Sequence, residues 1–149
     1  MTTDWVEVNV NWQGDLQFSA VNKDGCTVEF GYKQGQPGVS PMELLLVGLA
    51  GCTGMDVISI LKKKRQTVTD FRVRVRAKRA DSHPKVYTKI ELVYLFWGTN
   101  ITDKGVTDAI KLSKEKYCSA SVMLGKAAEI TYTYEINPEE SGSEITKEA

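Results

Sequence analysis

The sequence predicts an α+β fold in which antiparallel sheets surround one central, buried helix. Three observations carry that prediction. Alternating apolar and polar residues mark strands in the first third, the middle and the end of the chain. These strand segments are segregated from the helical ones instead of interleaving with them. Between them, Met42 to Leu61 is apolar almost all round, and such a helix must be covered on most sides.

Along the chain, Val6, Val8, Val10 and Trp12 share one face of a first strand. Gly14-Asp15 signals a turn, and Leu16, Phe18 and Ala20 resume the alternation. Asp24-Gly25 signals a hairpin into Cys26, Val28, Phe30 and Tyr32, so a three-stranded antiparallel meander is expected. After the loop-like Lys33 to Val39, Ser40 suits a helix N-cap, Pro41 the first helical position and Glu43 the acid of a capping box. Lys62 to Arg65 suit the negative end of that helix. Gly48, Gly51 and Gly54 inside it suggest close approach of another element.

A strand follows from Thr67 to Ala80, with Phe71, Val73, Val75 and Ala77 inward and Arg72, Arg74, Arg76 and Lys78 outward. Asp81 to Pro84 forms a turn around the single histidine, His83. The segment from Val86 to Trp97 is apolar on both faces near its end, as a central strand is. Thr102 or Asp103 is placed to cap a helix to about Tyr117, and Ser119 a short one to about Ala128. Ile130, Tyr132, Tyr134 and Ile136 form the last strand. Residues 1–136 are expected to be one domain, and 137–149 a polar, frayed tail.

Composition narrows the function. The chain has 149 residues, 42% of them hydrophobic, which suits a single packed domain. Nineteen basic and nineteen acidic residues cancel, which argues against a dedicated nucleic-acid binder. The arginine stripe of the middle strand reads as a solvated sheet face, with phosphate binding as a weaker alternative. Three cysteines without a CxxC argue against a disulfide framework and for a reducing compartment. No basic-then-apolar leader is evident. Polar residues and glycines interrupt Leu44 to Leu61, so no membrane span is expected there. One histidine and no ligand spacing give no metal site. The expectation is a soluble cytoplasmic protein, and the apolar helix argues for a homodimer.

Cys52 is the residue that suggests chemistry. Gly51, Thr53 and Gly54 leave room beside its sulfur. A small buried hydrophobe and a reactive thiol both remain open readings. Cys118 sits at a helix boundary, and Cys26 on a strand's apolar face reads as structural. Glu43 is either a capping-box acid or a functional carboxylate. At about 100° and 1.5 Å per residue, Glu43 and Cys52 fall on opposite faces of a straight helix, roughly 13 Å apart along it. Either the helix bends near Gly48 or Gly51, or Glu43 serves the thiol of a partner subunit.

Ser40-Pro41-Met42-Glu43-Leu44-Leu45, then Gly51-Cys52, then Ser113-x-Glu115-Lys116-Tyr117-Cys118 with Ser121 and Leu124 beyond, resembles the OsmC/Ohr superfamily, and within it the YhfA-like branch. The resemblance spans about residues 5 to 136. It implies an OsmC-like fold, an intertwined homodimer and thiol-dependent reduction of organic hydroperoxides. By that resemblance Cys52 is the peroxidatic cysteine, Cys118 the resolving cysteine and Glu43 the catalytic glutamate. The implied partners are a small apolar hydroperoxide and a dithiol or lipoyl-type reductant, with no cofactor, metal, nucleic acid or membrane. The family's peroxidases also use an arginine from the N-terminal strands, and this chain has none before Arg65. That departure defines the alternative, a non-peroxidase binding or redox-sensing protein on the same fold.

Overall fold

A computed structural model describes residues 5–139. The assignment of a frayed tail therefore lies, from residue 140 onward, outside the described residues. The chain divides into two compact units, with the boundary in sequence between Leu45 and Leu46.

The first unit is the expected meander. Strands β1 (Val8–Trp12), β2 (Leu16–Asn22) and β3 (Thr27–Tyr32) pair antiparallel in the order β1-β2-β3. Phe18 stacks on Phe30 across the β2–β3 pair, with ring centroids 5.9 Å apart. Asn22 shapes the second turn, its side-chain oxygen accepting from the backbone N–H groups of Asp24 and Cys26. In β3, opposite Gln17, a glycine is required at Gly31: its φ is +92°, and a Cβ would lie 2.2 Å from the Leu16 carbonyl oxygen. Cys26 is exposed in this turn, ahead of β3, so it is not the buried structural residue that strand alternation suggested. The turn claims the residue before the strand begins.

Helix α1 (Pro41–Lys63) starts in the first unit and continues unbroken into the second. Its N-terminus is the predicted capping box. Ser40 N–H donates to Glu43 Oε2 at 2.7 Å, and Glu43 N–H donates to Ser40 Oγ at 3.1 Å. By length and composition α1 is also apolar enough to cross a membrane. Among the described residues, one of its faces is covered. Leu49, Thr53, Val57 and Leu61 recur at helical spacing and are fully buried, whereas Met55 is 77% exposed. The expected burial on most sides is thus not met among the described residues.

The second unit holds that sheet, in the order β4 (Thr67–Arg79), β5 (Tyr87–Thr99) and β6 (Glu129–Ile136). β5 is central, as its two apolar faces require, and Ile90, Leu92, Tyr94, Leu95 and Phe96 are buried on it. β4 alternates as predicted, with Phe71 packing on Phe96 at 4.9 Å between ring centroids. Gly54 of α1 lies close to this strand, where a Cβ would lie 3.4 Å from the Phe71 ring. The sheet corrects the expectation of purely antiparallel pairing, because β5 and β6 run parallel. The connection between them is helical, and a helical crossover returns the chain to the end from which β5 began.

That connection contains α2 (Asp103–Leu112), a π-helical turn (Ser113–Tyr117) and α3 (Ser119–Leu124). Thr102 caps α2, its side chain accepting from Gly105 N–H at 3.0 Å. The second helical segment is capped by Cys118, not by Ser119 as the sequence suggested. Cys118 has the extended backbone that a cap needs, and its sulfur accepts from Ser121 N–H at 3.3 Å.

Candidate active site

The site is assembled from α1 and the π-helical turn. Cys52 lies midway along α1 and is half-buried. Asp56 follows one turn later on the same face, as residues four apart do. The wider π-helical turn closes with Cys118 N–H donating to Ser113 carbonyl oxygen at 2.7 Å. Both ends of this turn, Ser113 and Cys118, are fully buried. Cys118 is thereby delivered to Cys52. The Sγ atoms of Cys52 and Cys118 and a carboxylate oxygen of Asp56 all lie within 4.8 Å of one another.

A chain of buried hydroxyls runs behind these groups. Ser113 Oγ donates to Asp56 Oδ2 at 3.0 Å. Thr53 Oγ1 lies 2.8 Å from Ser113 Oγ and 2.8 Å from the Tyr94 hydroxyl. Each hydroxyl carries one proton. With the Ser113 proton committed to Asp56, Thr53 donates to Ser113 and Tyr94 donates to Thr53. The bonds therefore all point toward the carboxylate. Burial pushes the Tyr94 phenol far above its ordinary range, which keeps it a donor. The chain ties α1, β5 and the π-helical turn together through polar groups that would each be costly to bury alone.

Burial also pushes the Cys118 thiol up. The Ser121 N–H, which donates to Cys118 Sγ, acts in the other direction, while the neighbouring Cys52 pushes it up further. Burial is thus the main cause that favours the protonated form of Cys118. Tyr132 is likewise raised by burial.

Of the residues the sequence singled out, Cys52 and Cys118 come together. Glu43 sits on the opposite face of α1, its carboxylate closing the capping box with Ser40. Its carboxyl is held below the usual range by the Ser40 N–H first and the Ser40 hydroxyl second. Asp56, Thr53 and Tyr94 were not anticipated. The available signal was a carboxylate inside an apolar run, one helical turn after a cysteine. Ser113 and Ser121 belong to the quoted motif, and the structure gives Ser113 its partners. An open apolar groove of about 610 Å³ lies between α1 and β4, lined by residues including Val47, Gly51, Met55, Phe71 and Val73. It runs along a different face of α1 from the one that carries Cys52 and Asp56.

Comparison with known proteins was made against this geometry. The family model described as OsmC-like protein matches residues 33–133, which includes α1, both thiols and the parallel strand pair up to Thr133. The chain belongs to the OsmC-like family. The curated relative Protein YhfA of Escherichia coli K12 is 37% identical over 131 residues, covering 88% of this chain and 98% of its own. A crystal structure of a hypothetical protein from Aquifex aeolicus is 36% identical with a TM-score of 0.82, covering 91% of this chain and 98% of that one. An organic hydroperoxide resistance protein from Elizabethkingia anophelis shares the fold at 17% identity, with a TM-score of 0.64 and coverage of 91% and 99%. The two-sheet α+β architecture of this chain is thus that of OsmC-like proteins.

Proposed function

We propose that this protein reduces organic hydroperoxides through Cys52 and Cys118. One observation carries the reading: two sulfurs from distant parts of the chain lie within 4.8 Å of each other, one half-buried and one sealed. The accessible Cys52 is the attacking group. Its thiolate takes the distal oxygen of the peroxide, the O–O bond breaks, and the alkoxide leaves as an alcohol after gaining a proton. Cys52 is then a sulfenic acid. Cys118 attacks that sulfur, a disulfide forms, and water leaves. A dithiol or lipoyl-type reductant supplies two electrons and two protons to restore both thiols.

The reading extends to a cytoplasmic homodimer. Val8, Val10 and Trp12 expose an apolar strand face, and Val47 and Met55 expose an apolar face of α1. A second copy of the chain accounts for both. Glu43 then acts at the partner subunit's thiol, because within its own helix it faces away from Cys52. The apolar helix and strand faces that lie beside Cys52 in such a dimer form a pocket for a hydrocarbon peroxide.

The absence of any arginine before Arg65 favours a second reading, in which the thiol pair senses oxidants slowly on the same fold. One experiment separates the two. The reduced protein is mixed with one equivalent of cumene hydroperoxide and thiol loss is followed. The peroxidase reading expects fast loss that disappears in Cys52→Ser. Loss no faster than that of a free thiol, and equal in both proteins, selects the sensor.

A further inference from the structure

We propose that Cys52, Cys118 and Asp56 form a zinc-binding site in the reduced protein. The three donor atoms lie within 4.8 Å of one another, on two separate elements that the fold brings together. Tetrahedral zinc with bonds of about 2.3 Å to sulfur and about 2.1 Å to oxygen places its donors roughly 3.6–3.8 Å apart. The arrangement therefore needs to contract by roughly 1.2 Å at most, within reach of small side-chain rotations. Two sulfurs and one carboxylate suit a borderline-soft divalent ion and select against magnesium and calcium, which prefer oxygen.

The outer groups strengthen the case. Metal ligands are held in place by hydrogen bonds from the residues behind them. Here Ser113 Oγ donates to Asp56 Oδ2 at 3.0 Å, and Ser121 N–H donates to Cys118 Sγ at 3.3 Å. The hydroxyl chain through Thr53 and Tyr94 fixes Ser113 in turn. Each thiol that joins the ion releases a proton, and the carboxylate binds as it stands. Three protein ligands leave a fourth tetrahedral position for water or a small thiol, reached from the side where Cys52 is half-exposed. Oxidation of the two sulfurs to a disulfide removes both thiolate donors, so only reduced protein offers the site.

The test needs no peroxide and so does not depend on the peroxidase reading. Reduced full-length protein is titrated with cobalt(II) as the spectroscopic probe, and zinc is then added to displace it. The expected result is one equivalent per chain, with a sulfur-to-cobalt charge-transfer band and the intense visible bands of a tetrahedral ion. Asp56→Asn should weaken binding at least tenfold while keeping the wild-type circular dichroism, and Cys26→Ser should leave binding unchanged. Wild-type protein with no charge-transfer band overturns the proposal. So does unchanged affinity in both Cys52→Ser and Cys118→Ser. A chain that consumes peroxide but binds no cobalt loses the zinc site alone.

Discussion

Cys52 and Cys118 present their sulfurs within 4.8 Å of each other, although one belongs to the long first helix and the other closes the π-helical turn after the second. Their surroundings differ. Cys118 is fully buried and its sulfur accepts from Ser121 N–H, while Cys52 keeps partial access to solvent. That asymmetry assigns the two sulfurs different tasks.

Replacing Cys118 by Ser should interrupt the cycle after the first step. The sulfenic acid at Cys52 then has no neighbouring thiol to condense with. One equivalent of hydroperoxide should leave a species heavier by one oxygen, about 16 Da, which a sulfenic-acid trap such as dimedone captures. Intact-protein mass spectrometry reads the adduct directly.

The hydroxyl chain is structural as well as positional. Thr53→Val removes the link between Tyr94 and Ser113 and leaves both hydroxyls short of a buried partner. A loss of about 1–3 kcal/mol is expected. The urea midpoint should fall while the dependence on urea stays the same. Because Ser113 orients Asp56, the same variant should also weaken cobalt binding.

Leu61 is fully buried where α1 ends its covered face. Leu61→Ala should cost about 2–5 kcal/mol, the range for a leucine cavity that collapses only in part. Substituting the exposed Met55 by Ala should leave the stability of an isolated chain nearly unchanged. In the proposed homodimer it should instead weaken association, which analytical ultracentrifugation across a dilution series measures.

Glu43 supplies the pH test. Its carboxyl is held below its ordinary 4.5 by the capping box. As pH falls past that value the unfolded chain takes up the proton first. The stability this carboxylate contributes is therefore complete above 4.5 and is lost as pH drops through the lower folded value. Glu43→Gln keeps an acceptor for Ser40 but carries no titrating group. Wild type should lose more stability than this variant between about pH 6 and about pH 3, read as the difference in their denaturation midpoints. At neutral pH, slower thiol loss in Glu43→Gln would come from the thiol site and not from the cap.

Much of this fold was legible in the sequence because its elements obey simple periods. β4 alternates cleanly from Phe71 to Lys78, and α1 begins at Ser40 with the cap that its residue types specify. The misreadings have local causes. Alternation in β6 shows that it is a strand but not which way it runs, and the direction was set by the helical crossover before it. A π-helical turn has no sequence period of its own, so Ser113 to Tyr117 read as a continuation of α2. The thiol pair was legible from family resemblance. Asp56 was not, because a lone carboxylate in an apolar helix looks like an interruption until its partner Ser113, far along the chain, is seen beside it.

The most direct test of the central claim is peptide mapping of the reduced protein after one equivalent of cumene hydroperoxide, without reduction before digestion. The account predicts a single cross-linked species joining the Cys52 and Cys118 peptides, lighter by two hydrogens, with Cys26 still a free thiol. Recovery of Cys52 and Cys118 as separate peptides, whether unreacted or over-oxidised to sulfinic acid, would contradict it.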